Sequence, residues 1–80
     1  MAAYSMNTKL SPEEVLKKAK TYFGEGLGLE VTDQGPCCAS FLGGGGHVTV
    51  TARTEEKRTV VDLETREWDY QVQHFMHAIA

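Results

Sequence analysis

The sequence predicts an α+β fold, in which a four- or five-stranded antiparallel meander carries two helices packed on one face. Three observations predict it. Two segments repeat apolar residues at helical spacing, four segments alternate apolar and polar residues as strands do, and short turn signals join the strands. The predicted order is (β)-α-β-β-β-β-α. The first strand is in parentheses because the alternation of Tyr4, Met6 and Thr8 within Ala3–Lys9 fits either an edge strand or a loose tail.

The first helix has a clear start. Ser11-Pro12-Glu13-Glu14 has the pattern of a capping box with proline at the first helical position. Leu10 and Val15 are spaced as a hydrophobic staple. An apolar stripe continues to Phe23, and Gly24 is a typical stop signal. We therefore expect a helix from Pro12 to Phe23.

Four strands and a second helix follow. The turn residues Asp33–Pro36, the glycine run Gly43–Gly46 and a polar turn at Glu55–Arg58 separate the strands. The strands are predicted at Leu27–Thr32, Cys37–Leu42, His47–Arg53 and Thr59–Thr65. The second helix is predicted at Glu67–Ile79, with a buried stripe formed by Trp68, Val72, Phe75, Met76 and Ile79.

Alternation along the strands assigns each residue to one face of the sheet. The apolar set should face both helices, because their stripes need the same partner. It comprises Leu27, Leu29, Val31, Cys37, Ala39, Phe41, Val48, Val50, Val61 and Leu63. The polar set should face solvent. It comprises Glu30, Cys38, Ser40, His47, Thr49, Thr51, Arg53, Asp62 and Glu64.

Composition excludes several classes of protein. Eighty residues with 41% hydrophobic and 24% charged residues indicate a single globular domain over residues 1–80. A net charge of −3 argues against nucleic acid as a partner. No apolar run is long enough to cross a membrane, and the amino-terminal segment lacks the pattern of a signal peptide. We therefore expect a cytoplasmic protein whose two cysteines are reduced.

The run Gly43–Gly46 followed by His47 resembles a phosphate loop only superficially. A phosphate-binding loop needs a helix after the glycines, whereas His47-Val48-Thr49-Val50 begins a strand. We predict a four-residue hairpin loop. Gly43, Gly44, Gly45, Gly46 and His47 remain candidates for contact with a ligand or partner.

The adjacent cysteines are the other candidate chemistry. Neighbours on a strand point to opposite faces, so Cys37 should enter the core and Cys38 should face solvent. Pairing of Leu42 with His47 and of Cys38 with Thr51 would place Cys38 and His47 about 13 Å apart. That distance is too long for a nucleophile and its base. No catalytic residue is therefore assigned.

Helix 2 carries a third candidate site. Tyr70, His74 and His77 fall on the side opposite Val72 and Ile79, so they should face solvent. Zinc would need two further ligands that the neighbourhood does not offer. We predict no metal site and no cofactor, and we interpret the three residues, with Cys38, as candidate partner contacts.

The element order resembles the repeat unit of the TATA-box-binding-protein-like fold. The resemblance covers nearly the whole chain but concerns topology alone, so it implies a fold and no activity. The stretch D-L-E-T-R-E-W-D, Asp62–Asp69, is similar to one in short uncharacterised bacterial proteins. The solvent-facing side of the sheet has no aromatic residue for stacking bases, which disfavours nucleic-acid binding.

The sequence is compatible with three functions. The first is a non-enzymatic binding or interaction module, with an unknown protein or a second copy of the chain as partner. Such a module would form a homodimer through the sheet. The second is a thiol-based redox or transfer protein that uses Cys38. The third is a ligand pocket near Tyr22, Phe23, Trp68 and Phe75, for which a domain of this size leaves little room.

Overall fold

The computed structural model describes residues 1–80 and confirms the predicted fold class. A single antiparallel sheet has the strand order β1-β5-β4-β3-β2, and both helices lie on one of its faces. The strands are β1 (Ala2–Thr8), β2 (Glu30–Gln34), β3 (Cys38–Gly43), β4 (Gly46–Glu55) and β5 (Arg58–Arg66). The helices are α1 (Pro12–Ala19), which a π-helical segment (Lys20–Gly26) continues, and α2 (Asp69–Ile79). The amino-terminal segment is thus a fifth strand.

The capping box at the start of α1 is present. The Ser11 hydroxyl accepts a hydrogen bond from the backbone N–H of Glu14 at 3.2 Å. The Glu14 carboxylate accepts one from the backbone N–H of Ser11 at 3.1 Å. These two bonds, followed by the charge of Lys18, lower the pKa of Glu14 below its ordinary value. Local chemistry therefore fixes where the helix begins.

The predicted stop at Gly24 is wrong. The helix widens after Ala19 into π turns that run through Gly24 to Gly26, and the N–H of Leu27 donates to the carbonyl of Tyr22 at 3.0 Å. This widening keeps Phe23 fully buried. Gly24 therefore lies within the helical segment and does not end it; a Cβ there would lie 3.6 Å from the Val31 side chain, an ordinary contact distance.

The strand predicted at Leu27–Thr32 starts later, at Glu30, and runs to Gln34. Gly28 has a φ of +72°, and the Leu29 N–H donates to the Phe23 carbonyl. The chain therefore turns away from the helix at Gly28 and Leu29, before the strand begins. The pairing of β2 with β3 shifts between Val31 and Asp33. Val31 is 41% exposed, contrary to prediction, because β2 is a bulged edge strand that no helix covers completely.

Cys37 was predicted to lie in the core, and this is also wrong. Its side chain is exposed, because β3 begins only at Cys38. Its carbonyl accepts a hydrogen bond from the Ala52 N–H at 2.8 Å, so the backbone is held while the side chain projects from the turn. Strand alternation does not apply to a residue that belongs to the turn.

The glycine hairpin is tighter than predicted. Gly43 pairs with Gly46 inside the ladder, so the turn contains only Gly44 and Gly45, with φ of 59° and 79°. Two successive positive φ angles are typical of a type I′ turn. The predicted register is confirmed: Leu42 pairs with His47, Ser40 with Thr49 and Cys38 with Thr51.

The core lies between the sheet and the helices. Seven of the ten sheet residues predicted for it are buried, whereas Leu27 is half-buried and Val31 and Cys37 are exposed. Phe23 is packed against Phe41 and Phe75, with ring centroids 5.5 and 5.2 Å apart. On α2, Val72, Phe75 and Ile79 are buried and Met76 is half-buried. The helix begins at Asp69 and not at the predicted Glu67, so the half-buried Trp68 lies just before it. No helix is long and apolar enough to cross a membrane.

Candidate functional site

One whole side of the sheet has no helix on it. We call this side the outer face, and it carries Ala3, Ser5, Asn7, Cys38, Ser40, Leu42, His47, Thr49, Thr51, Arg53, Val60, Asp62 and Glu64. The polar set that the sequence assigned to this face is confirmed as exposed or half-buried. Helices on one face only leave the other free for contact with solvent or a partner.

The centre of the outer face is flat and rich in hydroxyl groups. Ser40 and Thr49 lie opposite each other, and their side-chain oxygens are 3.3 Å apart. A shallow hollow of about 400 Å³ lies between β1 and β4, with Ser5, Thr49 and Thr51 among its lining residues. Short side chains across three strands make this a surface for contact and give it no enclosed volume for a small ligand.

Charged groups lie around this centre. The Arg53 guanidinium binds the carboxylates of both Asp62 and Glu55. The pKa of Asp62 is lowered by the hydrogen bond from Arg53 first, then by that from Ser5, and by the charge of Arg53. His47 Nε2 lies 3.9 Å from Glu64 Oε1. Arg53 and Asp62 are therefore neutralised within the face itself.

Cys38 lacks the setting of a reactive thiol. It pairs with Thr51, while His47 pairs with Leu42, so Cys38 and His47 occupy separate rows of the sheet as predicted. The pKa of Cys38 is raised, chiefly by a hydrogen bond with Cys37, then by partial burial and the charges of Cys37 and Asp33. A raised pKa lowers the thiolate fraction at neutral pH and so lowers reactivity.

The glycine run has a packing role that the sequence did not reveal. The Trp68 indole N–H donates to the Gly43 carbonyl at 2.9 Å. A Cβ on Gly44 would lie 2.7 Å from the Trp68 ring, and one on Gly46 would lie 2.0 Å from the Arg66 carbonyl oxygen. Only glycine lets the hairpin tip approach the start of α2 this closely. The tip is thus held under Trp68.

Tyr70, His74 and His77 are exposed on α2, as predicted, but they do not form one cluster. His74 stacks on Tyr22 with ring centroids 5.9 Å apart, and its ring is 6.5 Å from that of Tyr70. His77 instead lines a hollow of about 380 Å³ beside Tyr4. Nowhere in the chain do three His, Cys, Asp or Glu side chains come together as metal ligands would.

The space proposed for a ligand pocket is filled by aromatic rings. Tyr22 and Phe23 pack edge to face at 4.9 Å, and Tyr22 lies 5.9 Å from Phe75. Trp68 is not part of this cluster, since it covers the glycine tip. The largest hollow, of about 650 Å³, is an open groove on the outside of α1 near Tyr22.

The free edge of β1 is a feature that the sequence indicated only weakly. β1 pairs with β5 from Ala2 to Thr8 without interruption, and its other edge has no neighbour. α2 holds it in place, since the Tyr4 hydroxyl donates to Asp69 at 3.0 Å and the Thr8 hydroxyl donates to the Ile79 carbonyl. The alternation of Ala3–Lys9 was the available signal, but it could not distinguish a strand from a tail.

Comparison with known proteins supports the fold and gives no family. No protein-family model matches the chain, and a search of curated proteins finds no match. Among solved structures, the chain is similar to the solution structure of the Aha1 dimer from Colwellia psychrerythraea. The TM-score is 0.61 with 16% sequence identity, over 96% of this chain and 87% of the other. At this identity the likeness concerns the fold alone.

Proposed function

We propose that this domain is a non-enzymatic interaction module that associates with a second copy of itself through its sheet. The observation that carries the proposal is the open sheet, with an outer face that no helix covers and an edge strand, β1, that has a strand on one side only. Leu42 is 51% exposed at the rim of that face, beside a centre of small hydroxyl residues. Flat surfaces of this kind suit association between proteins better than capture of a small molecule.

The distribution of reactive groups supports a module without catalysis. The thiol of Cys38, the imidazole of His47 and the histidines of α2 lie in separate places, and the acidic groups near them are paired or exposed. A nucleophile without a base in hydrogen-bonding reach has no means of activation. The structural likeness to a protein described as a dimer is consistent with self-association.

Size-exclusion chromatography with multi-angle light scattering tests this proposal. Over a micromolar concentration series, we expect a mass twice that of one chain at the upper concentrations and a fall toward one chain on dilution. A single-chain mass at every concentration would refute self-association. Alkylation kinetics address the thiol alternative, since a Cys38 that reacts no faster than a free model thiol has no activation.

A further inference from the structure

We propose that the two copies meet edge to edge through β1, antiparallel about Ser5, so that two five-stranded sheets join into one. This inference rests on the self-association proposed above and names the surface that achieves it.

The two edges of the sheet differ in protection. β2 is five residues long, carries Glu30 and Asp33, and is bulged between Val31 and Asp33. Charges, bulges and short length are the devices by which proteins block unwanted pairing at a sheet edge. β1 has none of them: its seven residues, A-A-Y-S-M-N-T, are uncharged and pair regularly with β5. An unprotected regular edge is a template for another strand.

The sequence of β1 tolerates pairing with itself. A two-fold axis at Ser5 pairs the full strand, so that Ala2 faces the partner's Thr8, Ala3 the partner's Asn7 and Tyr4 the partner's Met6. Alternation is preserved, with the exposed Ala3, Ser5 and Asn7 on the outer face and the half-buried Tyr4 and Met6 on the helix side. No like charges oppose each other, and an aromatic residue meets an apolar one, as favourable cross-strand pairs do.

The position of α2 also fits this arrangement. α2 packs against both β1 and β5, so it lies above the space between them. With strands about 4.8 Å apart, joining two β1 edges would place the two copies of α2 about 10 Å apart. Helices in contact have axes about 8–10 Å apart, so the helices would pack without a gap or a clash.

Pairing of the two β1 strands would also cover a hollow beside β1. It has a volume of about 380 Å³, and its lining includes Tyr4, Gln73, Met76, His77 and Ala80. Tyr4 and Met76 are half-buried and already pack against the core. The same surface of the second copy would face it across the axis, which is the geometry of an isologous dimer.

The two ends of β1 differ in charge. At the Thr8 end, Lys9, Lys18 and Arg58 line one hollow with Ala80. At the Ala2 end, Glu67 and Asp69 line another hollow with Arg66 and Met1, so acidic and basic groups balance there. Antiparallel pairing brings the basic end of each copy to the balanced end of the other and keeps the two basic ends apart. Parallel pairing would place the basic ends together, so charge favours the antiparallel orientation.

Two matched substitutions test the surface by light scattering. Ser5→Lys places two ammonium groups opposite each other at the axis, which opposes pairing. Thr49→Lys puts the same charge at the centre of the outer face. We expect at least a tenfold weaker dimer for Ser5→Lys and an unchanged dimer for Thr49→Lys, with far-UV circular dichroism confirming that both are folded. A weaker dimer for Thr49→Lys with an unchanged dimer for Ser5→Lys would overturn association through β1 and place the contact on the outer face.

Cross-linking tests the register separately and does not depend on a charged variant folding. In a Cys37→Ser, Cys38→Ser background, Ser5→Cys should be joined efficiently by a short bis-maleimide. Asn7→Cys is the control, because antiparallel pairing about Ser5 separates the two copies of residue 7 by about 14 Å. Equal cross-linking of both variants, or of neither in a protein that remains dimeric, would overturn this inference while leaving self-association intact. A monomeric natural chain would refute both.

Discussion

At the scale of single residues, Gly46 is the position where a side chain is least tolerated. A Cβ there would lie 2.0 Å from the Arg66 carbonyl oxygen and 2.7 Å from Glu67 Cβ, so the β4–β5 ladder would have to separate. We predict that Gly46→Ala lowers the free energy of unfolding by about 3 kcal/mol, the upper end of overpacking effects.

Gly45→Asn is the matched control for this substitution. Gly45 has a φ of +79° and open space around its Cβ position, and asparagine tolerates that conformation better than other residues. Urea unfolding followed by circular dichroism should show a small change for this variant and a large one for Gly46→Ala. Equal losses would mean that turn conformation, not the close approach of β5, decides the effect.

Asp62 gives the stability of the fold a specific dependence on pH. Its pKa in the folded state is lowered below the ordinary 3.8, first by the hydrogen bond from Arg53. A carboxyl group with a lowered pKa stabilises the folded state fully above its unfolded pKa and loses that effect as pH falls through the folded pKa. We predict that Asp62→Asn destabilises the protein at pH 7 and that the difference from the natural chain shrinks below pH 3.8.

Urea unfolding at a series of pH values measures this difference. In an Arg53→Gln background, the effect of Asp62→Asn and its dependence on pH should both be smaller, because the first cause of the lowered pKa is gone. A difference in stability between the natural chain and the Asp62→Asn variant that stays constant from pH 7 to pH 3 would contradict the prediction.

The residues that the sequence placed wrongly share a cause. Strand alternation located Ala39, Phe41, Val48, Val50, Val61 and Leu63 in the core, because period two holds wherever the ladder is regular. It failed at Cys37, which lies in a turn, and at Val31, which lies beside a bulge. It also could not show why Gly43 and Gly46 are glycines, since the reason is contact with residues that are distant in the chain.

At the scale of elements, Trp68 joins the start of α2 to the β3–β4 hairpin. Its indole N–H donates to the Gly43 carbonyl at 2.9 Å, and its ring covers Gly44. Trp68→Phe removes the donor together with the ring atoms that cover Gly44, so we predict a loss of at least about 1 kcal/mol in the free energy of unfolding. Far-UV circular dichroism is the readout, because the variant has no tryptophan.

Tyr70→Phe is the control for this element. It also removes a polar hydrogen from an aromatic residue on α2, but Tyr70 is 77% exposed, so its stability should be unchanged. If both variants lose the same stability, the Trp68 hydrogen bond is not what joins the hairpin to the helix.

Elements whose limits are set locally were predictable, and those set by packing were not. The capping box at Ser11 fixes the start of α1 from four neighbouring residues. Its end depends on π turns that keep Phe23 in the core, and a sequence signal at Gly24 says nothing of that contact. The register of β3 with β4 was predictable because a hairpin defines its own pairing. Candidate contacts on α2 were placed on the correct face, but the sequence did not predict that His74 stacks on Tyr22 while His77 lines a hollow beside Tyr4.

At the scale of the whole molecule, self-association links stability to concentration. Anything that binds only the folded chain raises its apparent stability, and a second copy does so in proportion to the logarithm of its concentration. A tenfold concentration change corresponds to about 1.4 kcal/mol per mole of dimer. We predict that the thermal midpoint of the natural chain rises by a few degrees for each tenfold increase in its concentration. For folded Ser5→Lys the rise should begin only at concentrations at least tenfold higher, and an equal rise in both over the same range would contradict association through β1.

The attachment of β1 to β5 and α2 also bears on the order in which the chain folds. Strands β2 to β5 follow one another and meet through short turns, whereas Ala2 must find Thr65 and Thr8 must find Ile79. Contacts between distant parts of a chain form late, because closing the intervening loop costs entropy before any contact forms. Truncating Met6 to alanine should therefore accelerate unfolding and leave the refolding rate nearly unchanged, as stopped-flow measurements over a range of urea concentrations would show. The strand that precedes all the others in the sheet would then be the last to dock.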